Sequence, residues 1–197
     1  RGHRHVAEGL WAQKKAPGMG VDLYGKTLGI VGLGDIGSAI ARRAQVSGMR
    51  VIYHNRHRKL NDSALGVTYA AWEELLRTSD FIVVAVTLNP STKGLFDAAA
   101  FAAMKEGVRF VNISRGKVVD TEALVAALQS GKVAAAGLDV TDPEPLPGDH
   151  PLLRLLNITV TPHIASATEE TRDAMALVTA QNIVAALTGE AMPAQIR

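Results

Sequence analysis

The stretch Thr27-Leu28-Gly29-Ile30-Val31-Gly32-Leu33-Gly34-Asp35-Ile36-Gly37 decides the fold. Thr27 to Val31 reads as a short buried strand. A GxGxxG spacing follows at Gly32, Gly34 and Gly37. From about Ile36 to Ser47 the positions Ile36, Ile40 and Ala44 fall on one helical face, and Gly48 stops that helix. Strand, glycine loop and helix in this order suit the pyrophosphate of a dinucleotide. Gly32 allows the tight turn, Gly34 lets the backbone approach the anion, and Gly37 lets helix and strand pack closely. The exposed N–H groups of the Gly32-Leu33-Gly34-Asp35-Ile36-Gly37 loop and the helix dipole favour negative charge. A glycine-rich turn that binds nothing is the plain alternative.

Outward from this unit the same alternation continues. Arg50–Tyr53, Phe81–Ala85, Arg109–Ile113, Val133–Val140 and Ile158–Thr161 read as strands. Helical patterns lie at Trp72–Leu76, at Phe96–Met104, from Thr121 until Gly131 closes it, and in a long amphipathic stretch from Thr168 to Leu187. Apolar strands separated by helices predict an α/β fold, a doubly wound parallel sheet of the Rossmann dinucleotide-binding type with both faces covered. The domain spans residues 24–188, after a linker-helix tail and arm at 1–23 and before a C-terminal tail at 189–197. Pro143, Pro145, Pro147 and Pro151 stiffen one long loop at a strand's carboxyl end, where open α/β sheets place ligands.

Composition narrows the function. The 197 residues include 21 Lys+Arg and 19 Asp+Glu, a net charge of +2 that gives no reason to expect nucleic acid or a membrane surface as partner. Cysteine is absent, which excludes a disulfide framework, thiolate metal sites and cysteine nucleophiles. No metal site is expected. No apolar run approaches the ~18–20 residues of a membrane span, and polar Arg1 to His5 shows no signal-peptide pattern. The expectation is a soluble, cytoplasmic protein.

The turn after the second strand selects the dinucleotide. An NAD site places Asp or Glu there, on the ribose 2′-hydroxyl, ~20 residues after the glycines. This chain has Tyr53-His54-Asn55-Arg56-His57-Arg58-Lys59 and no carboxylate. Asn55 can donate to a phosphate oxygen, and Arg56 and Arg58 can pair with a dianion. NADP is therefore expected, with NADPH preferred and NAD still admissible. A solvated basic turn is the bland reading.

Three chemical groups sit at strand ends. Arg115 emerges in Asn112-Ile113-Ser114-Arg115-Gly116, where a guanidinium can grip a carboxylate in two places. Glu144 lies in Asp142-Pro143-Glu144-Pro145, after Asp139 at the end of its strand. His163 follows Thr161-Pro162. Each alone has an ordinary structural explanation; together, on the edge that holds the cofactor, they form a constellation.

These motifs, in this order, closely resemble the D-isomer-specific 2-hydroxyacid dehydrogenases. Gly32 to Gly37, Asn112 to Gly116, Gly137-Leu138-Asp139-Val140 with Pro143-Glu144-Pro145, and Thr161-Pro162-His163-Ile164 carry the resemblance, which runs from about Tyr24 to Pro193. Ala135 to Pro147 and Thr161 to Thr168 are most similar to the glyoxylate/hydroxypyruvate reductases. The resemblance implies Arg115, Glu144 and His163 as catalytic residues and Asp139 near the nicotinamide carboxamide. It places Thr87 and Thr92 near the cofactor, and Ile113, Ser114, His57 and Ala165 along its site.

Family members carry a substrate-binding domain ahead of this one, and that domain is missing here. Trp11 falls near a position where some reductases reach a neighbouring subunit, and an ordinary packed Trp reads equally well. The implied reaction is NADPH-dependent reduction of a small 2-keto acid by a homodimer. His163 would give the proton, Glu144 orient its imidazole, and Arg115 bind the substrate carboxylate. Another dehydrogenase of the family, acting on phosphoglycerate or a bulkier keto acid, remains an alternative. So does a cofactor-sensing module like the family's corepressors. A methyltransferase fits less well, because it would want an acid at the position of Asn55.

Overall fold

The computed structural model describes residues 2–16, 18–60 and 62–195. Among these residues seven strands form one sheet: β1 (Thr27–Val31), β2 (Arg50–His54), β3 (Thr68–Tyr69), β4 (Phe81–Val84), β5 (Val108–Asn112), β6 (Val133–Leu138) and β7 (Ile158–Val160). Their order is β3-β2-β1-β4-β5-β6-β7, and every pairing is parallel. The chain runs outward from β1 to one side, then returns to β4 on the other. That reversal opens a crevice at the carboxyl ends of β1 and β4.

Among the described residues, six α-helices accompany the sheet: α1 (Gly2–Ala7), α2 (Asp35–Val46), α3 (Trp72–Thr78), α4 (Ala98–Ala103), α5 (Thr121–Ser130) and α6 (Glu169–Thr188). Side chains alternate across the strands, so the sheet has two cores. Val31, Ile52, Ile82, Val84, Val108 and Phe110 face α3, α4 and α5, with Leu75, Phe96, Phe101 and Leu124 completing that layer. Leu28, Ile30, Val51 and Tyr53 face α2 and its Ala41. The rings of Phe96 and Phe110 meet edge to face, 5.0 Å between centroids.

Several sequence expectations are corrected. The helix expected over Phe96–Met104 begins only at Ala98, because Phe96 bridges to Val119 and the Asp97 side chain caps the helix at the Ala100 N–H. The strand expected to reach Val140 ends at Leu138, where its neighbours Asn112 and Val160 also end. The two-residue β3 lay below what alternation can signal. Coverage of the second face is incomplete, since Phe81, Val83, Arg109 and Val111 are only half-buried there.

The last helix is not amphipathic in effect. Met175, Leu177, Val178, Ile183, Val184 and Leu187 are all exposed, and Ala185 is its one buried residue. Those apolar positions point all round the axis, so no single face can bury them. Ahead of the sheet, Trp11, Met19 and Tyr24 are exposed as well. Among the described residues no helix is long and apolar enough to cross a membrane.

Candidate active site

All the candidate residues lie at one edge, because parallel strands end on the same side. Gly32–Gly37 follow β1, Asn55–Arg58 follow β2, Thr87 and Thr92 follow β4, and Ile113–Arg115 follow β5. Asp139–Glu144 follow β6, and Thr161–Ala165 follow β7.

At the β6–β7 end, His163 Nδ1 lies 2.8 Å from Glu144 Oε1. Glu144 Oε2 accepts from the Thr141 N–H at 3.2 Å, so both carboxylate oxygens are occupied. The His163 hydrogen bond, then that of Thr141, hold the Glu144 carboxyl below the usual glutamate range; the charge of nearby Arg115 adds to this. Both side chains of this contact remain open to solvent at the cleft: about two fifths of each is exposed.

The histidine is held from behind. Its backbone has φ 54°, in the left-handed region that most side chains avoid. Asp139 fixes the loop around it. Its Oδ1 accepts from Thr161 Oγ1 at 2.6 Å and the Ile164 N–H at 3.0 Å, and its Oδ2 accepts from the Ala165 N–H at 2.9 Å. Burial alone would raise this carboxyl, but the three donors outweigh it and the net shift is downward. The family resemblance implies Asp139 near the nicotinamide carboxamide. Here both oxygens are engaged by the loop that carries His163.

Arg115 is exposed, with Nη1 bonded to the Ser114 carbonyl. Its loop is tied down by Asn112, whose Nδ2 donates to the Arg115 carbonyl and whose Oδ1 accepts from both Ser114 N–H and Oγ. Ser114 is thereby buried and its hydroxyl already committed. Gly116 brings this loop against the proline loop: a Cβ there would overlap the Thr141 carbonyl. Nothing in the sequence signals this contact, or Thr141 and Thr161 as supports of the site.

The glycine loop has the expected anatomy. Gly32 has φ 102°, and a Cβ on it would strike the Ala85 backbone; a Cβ on Gly37 would strike the Gly32 carbonyl. Gly34 has open space instead, and the N–H groups of Gly34, Asp35 and Ile36 meet no acceptor among the described residues. Leu33 turns its side chain into the core. At the end of β2, Asn55 Oδ1 accepts from the Leu33 N–H at 2.7 Å.

One sequence expectation changes here. Arg58 was offered to a dianion, yet its Nε lies 2.7 Å from Asp62 Oδ2. Buried Asp62 also accepts from Tyr53 Oη at 3.1 Å, and Tyr53 accepts from the Lys59 N–H at 2.8 Å. Arg58 therefore braces the turn, while Arg56 and His57 stand exposed on it. Thr92 likewise spends its hydroxyl locally, donating to the Thr87 carbonyl at 2.7 Å.

Residues 1–165 match the model of the D-isomer specific 2-hydroxyacid dehydrogenase NAD binding domain. The chain belongs to the D-isomer specific 2-hydroxyacid dehydrogenase family. It is 48% identical over 195 residues to a human glyoxylate reductase/hydroxypyruvate reductase, covering 98% of this chain and 60% of the relative. It is 47% identical to a glyoxylate reductase of Korarchaeum cryptofilum, covering 96% and 58%. Among solved structures, the TT0316 protein of Thermus thermophilus superimposes with a TM-score of 0.89 at 45% identity, over all of this chain and 62% of that one. A D-lactate dehydrogenase with NAD+ from Lactobacillus jensenii gives 0.88 at 28% identity, over 98% and 63%. The chain thus spans about three fifths of the length of these relatives. In this dehydrogenase domain the open space at Gly34, the unpartnered N–H groups beside it and the donors at Asn55 and Arg56 suit a nicotinamide dinucleotide.

Proposed function

We propose that the full-length protein uses NADPH to reduce a small 2-keto acid, glyoxylate or hydroxypyruvate, to the 2-hydroxy acid. The observation that carries this reading is the 2.8 Å His163–Glu144 contact on the edge shared with Arg115 and the glycine loop. The reductase names of the relatives support the substrate class. The absence of an acid after β2, with Asn55 and Arg56 in its place, supports NADPH.

The bound dinucleotide supplies the hydride. His163, with Nδ1 committed to Glu144, presents Nε2 to the carbonyl oxygen and gives it a proton. Glu144 orients the ring through that hydrogen bond. Arg115 holds the substrate carboxylate and stabilises charge developing on the neighbouring carbonyl. Ile113, Ser114 and Ala165 shape the cofactor's side of the cleft through their backbone. Exposed Trp11, Met19, Val21 and Leu23 support a homodimer through the arm, which light scattering of the full-length protein would report as twice the chain mass.

The test is an assay of the full-length protein with glyoxylate, hydroxypyruvate, 3-phosphohydroxypyruvate and a bulky aromatic keto acid, each with NADPH and NADH. The two small acids with NADPH should give the highest kcat/KM. A clear preference for the phosphorylated or bulky acid would contradict the substrate reading.

A further inference from the structure

Glu144 sits in a loop with few fastenings. Val140 is buried at one end and Leu146 packs against the core at the other. Between them Pro143 and Pro145 have no N–H to donate. Inside the loop, the Thr141 N–H donates to Glu144 Oε2 at 3.2 Å, and Thr141 Oγ1 donates to the Pro143 carbonyl at 2.8 Å. Among the described residues, two hydrogen bonds join residues 140–146 to the rest of the chain. One is the His163–Glu144 contact itself. The other runs from Thr121 Oγ1 to the Asp142 carbonyl at 2.9 Å.

Thr121 is the first residue of α5, and the helix does not need its hydroxyl. Asp120 caps α5 instead, accepting from the Glu122 and Ala123 N–H groups. The β-branched Thr121 side chain has few rotamers to lose when it holds a partner. The backbone leading to it is fixed as well. The Gly94 N–H donates to the Lys117 carbonyl at 2.9 Å, the Phe96 N–H to the Val118 carbonyl at 3.1 Å, and the Asp120 N–H to the Phe96 carbonyl at 3.0 Å. Phe96 is fully buried. One braced segment, residues 115–121, thus carries Arg115 at its start and grips the Glu144 loop at its end.

We propose that Thr121 is a positioning residue for the reduction: its hydroxyl pins the Asp142 carbonyl and so sets Glu144 against His163, at a fixed place relative to Arg115. Without that bond, the Glu144–His163 contact is the loop's one remaining hydrogen bond to the scaffold among the described residues. Glu144 would then have to order its own support while it orients the ring. The proposal rests on the reading that Glu144 and His163 serve keto-acid reduction. Thr121 acts through Glu144, not on the substrate.

The test uses the full-length protein. Thr121→Val keeps the shape and the branching and removes the donor. It should lower kcat for glyoxylate and hydroxypyruvate about 3- to 10-fold and leave the NADPH dissociation constant within about twofold. It should also speed exchange of the Thr141 amide, whose acceptor is Glu144 Oε2. Thr121→Ser restores the donor and should recover both kcat and the slow exchange. Thr121→Ala, a better helix former, takes the place of the valine variant if that one does not fold. In a Glu144→Ala background, Thr121→Val should cost no further kcat, since the group it positions is gone. The same fold loss in that background would overturn the proposal. So would unchanged kcat, or unchanged Thr141 exchange, in the variant without the hydroxyl. If the unmodified protein reduces neither keto acid, the proposed function fails, and Thr141 exchange alone decides whether Thr121 sets Glu144. Faster exchange in the valine variant with recovery in the serine variant upholds that role, and unchanged exchange overturns it.

Discussion

His163 Nδ1 and Glu144 Oε1 meet at 2.8 Å across 19 residues of sequence. Two strand ends and one stiff loop make that meeting possible. Glu144 is seated by the Thr141 N–H, and His163 by the loop that Asp139 holds.

Glu144→Gln should keep a hydrogen bond to the ring and lose the charge. Turnover of the full-length protein in the proposed reduction should fall about 10- to 100-fold. Because the Glu144 pKa is lowered in the folded protein, its contribution is complete above the ordinary glutamate value and disappears as pH falls through the lowered one. The unmodified enzyme should therefore show an acid limb below the usual glutamate range, which a pH–rate profile of the glutamine variant should lack.

Asp139→Asn places an NH2 where the buried carboxylate met a backbone N–H or the Thr161 hydroxyl. A donor facing a donor should cost about 1–3 kcal/mol in urea denaturation. The lowered Asp139 pKa has the same sign of linkage. Its stabilisation is present above the ordinary aspartate value and lost as pH falls through the folded value, so the variant's stability should vary less with acid.

Arg56→Asp should remove a charge-assisted contact of about 1.5–3 kcal/mol, or ~10- to 150-fold in NADPH affinity, and reverse the preference to NADH. Cofactor titration checks this. NADPH affinity unchanged in the variant would place the 2′-phosphate elsewhere.

Gly116→Ala drives a Cβ into the Thr141 carbonyl, and backbone on backbone has little room to yield. The variant should lose about 1–3 kcal/mol of stability. It should also raise the KM for the keto acid, since the Arg115 and Glu144 loops part. Thermal unfolding and steady-state kinetics report the two effects separately.

Much of this was legible in the sequence. GxGxxG after an apolar run fixed the β1–α2 unit, because only glycines allow the approaches seen at Gly32 and Gly37. Arg115, Glu144 and His163 were legible as strand-end polar residues in order. What stayed hidden depended on side chains meeting across the fold. The Asp62 partner of Arg58 lies four residues on and looks like an ordinary loop acid until Tyr53 and Arg58 converge on it. The bracing role of Asp139 also stayed hidden, because its oxygens accept from a loop more than twenty residues away. The apolar residues of α6 suggested a buried face, but their spread around the axis showed only once packing was known.

The most direct measurement is the rate of NADPH-dependent glyoxylate and hydroxypyruvate reduction by full-length protein carrying His163→Gln, with NADPH binding measured in parallel. The account predicts kcat lower by ~10²–10⁴-fold with the cofactor dissociation constant little changed. Near-normal reduction by that variant would contradict it, because another group would then have to deliver the proton.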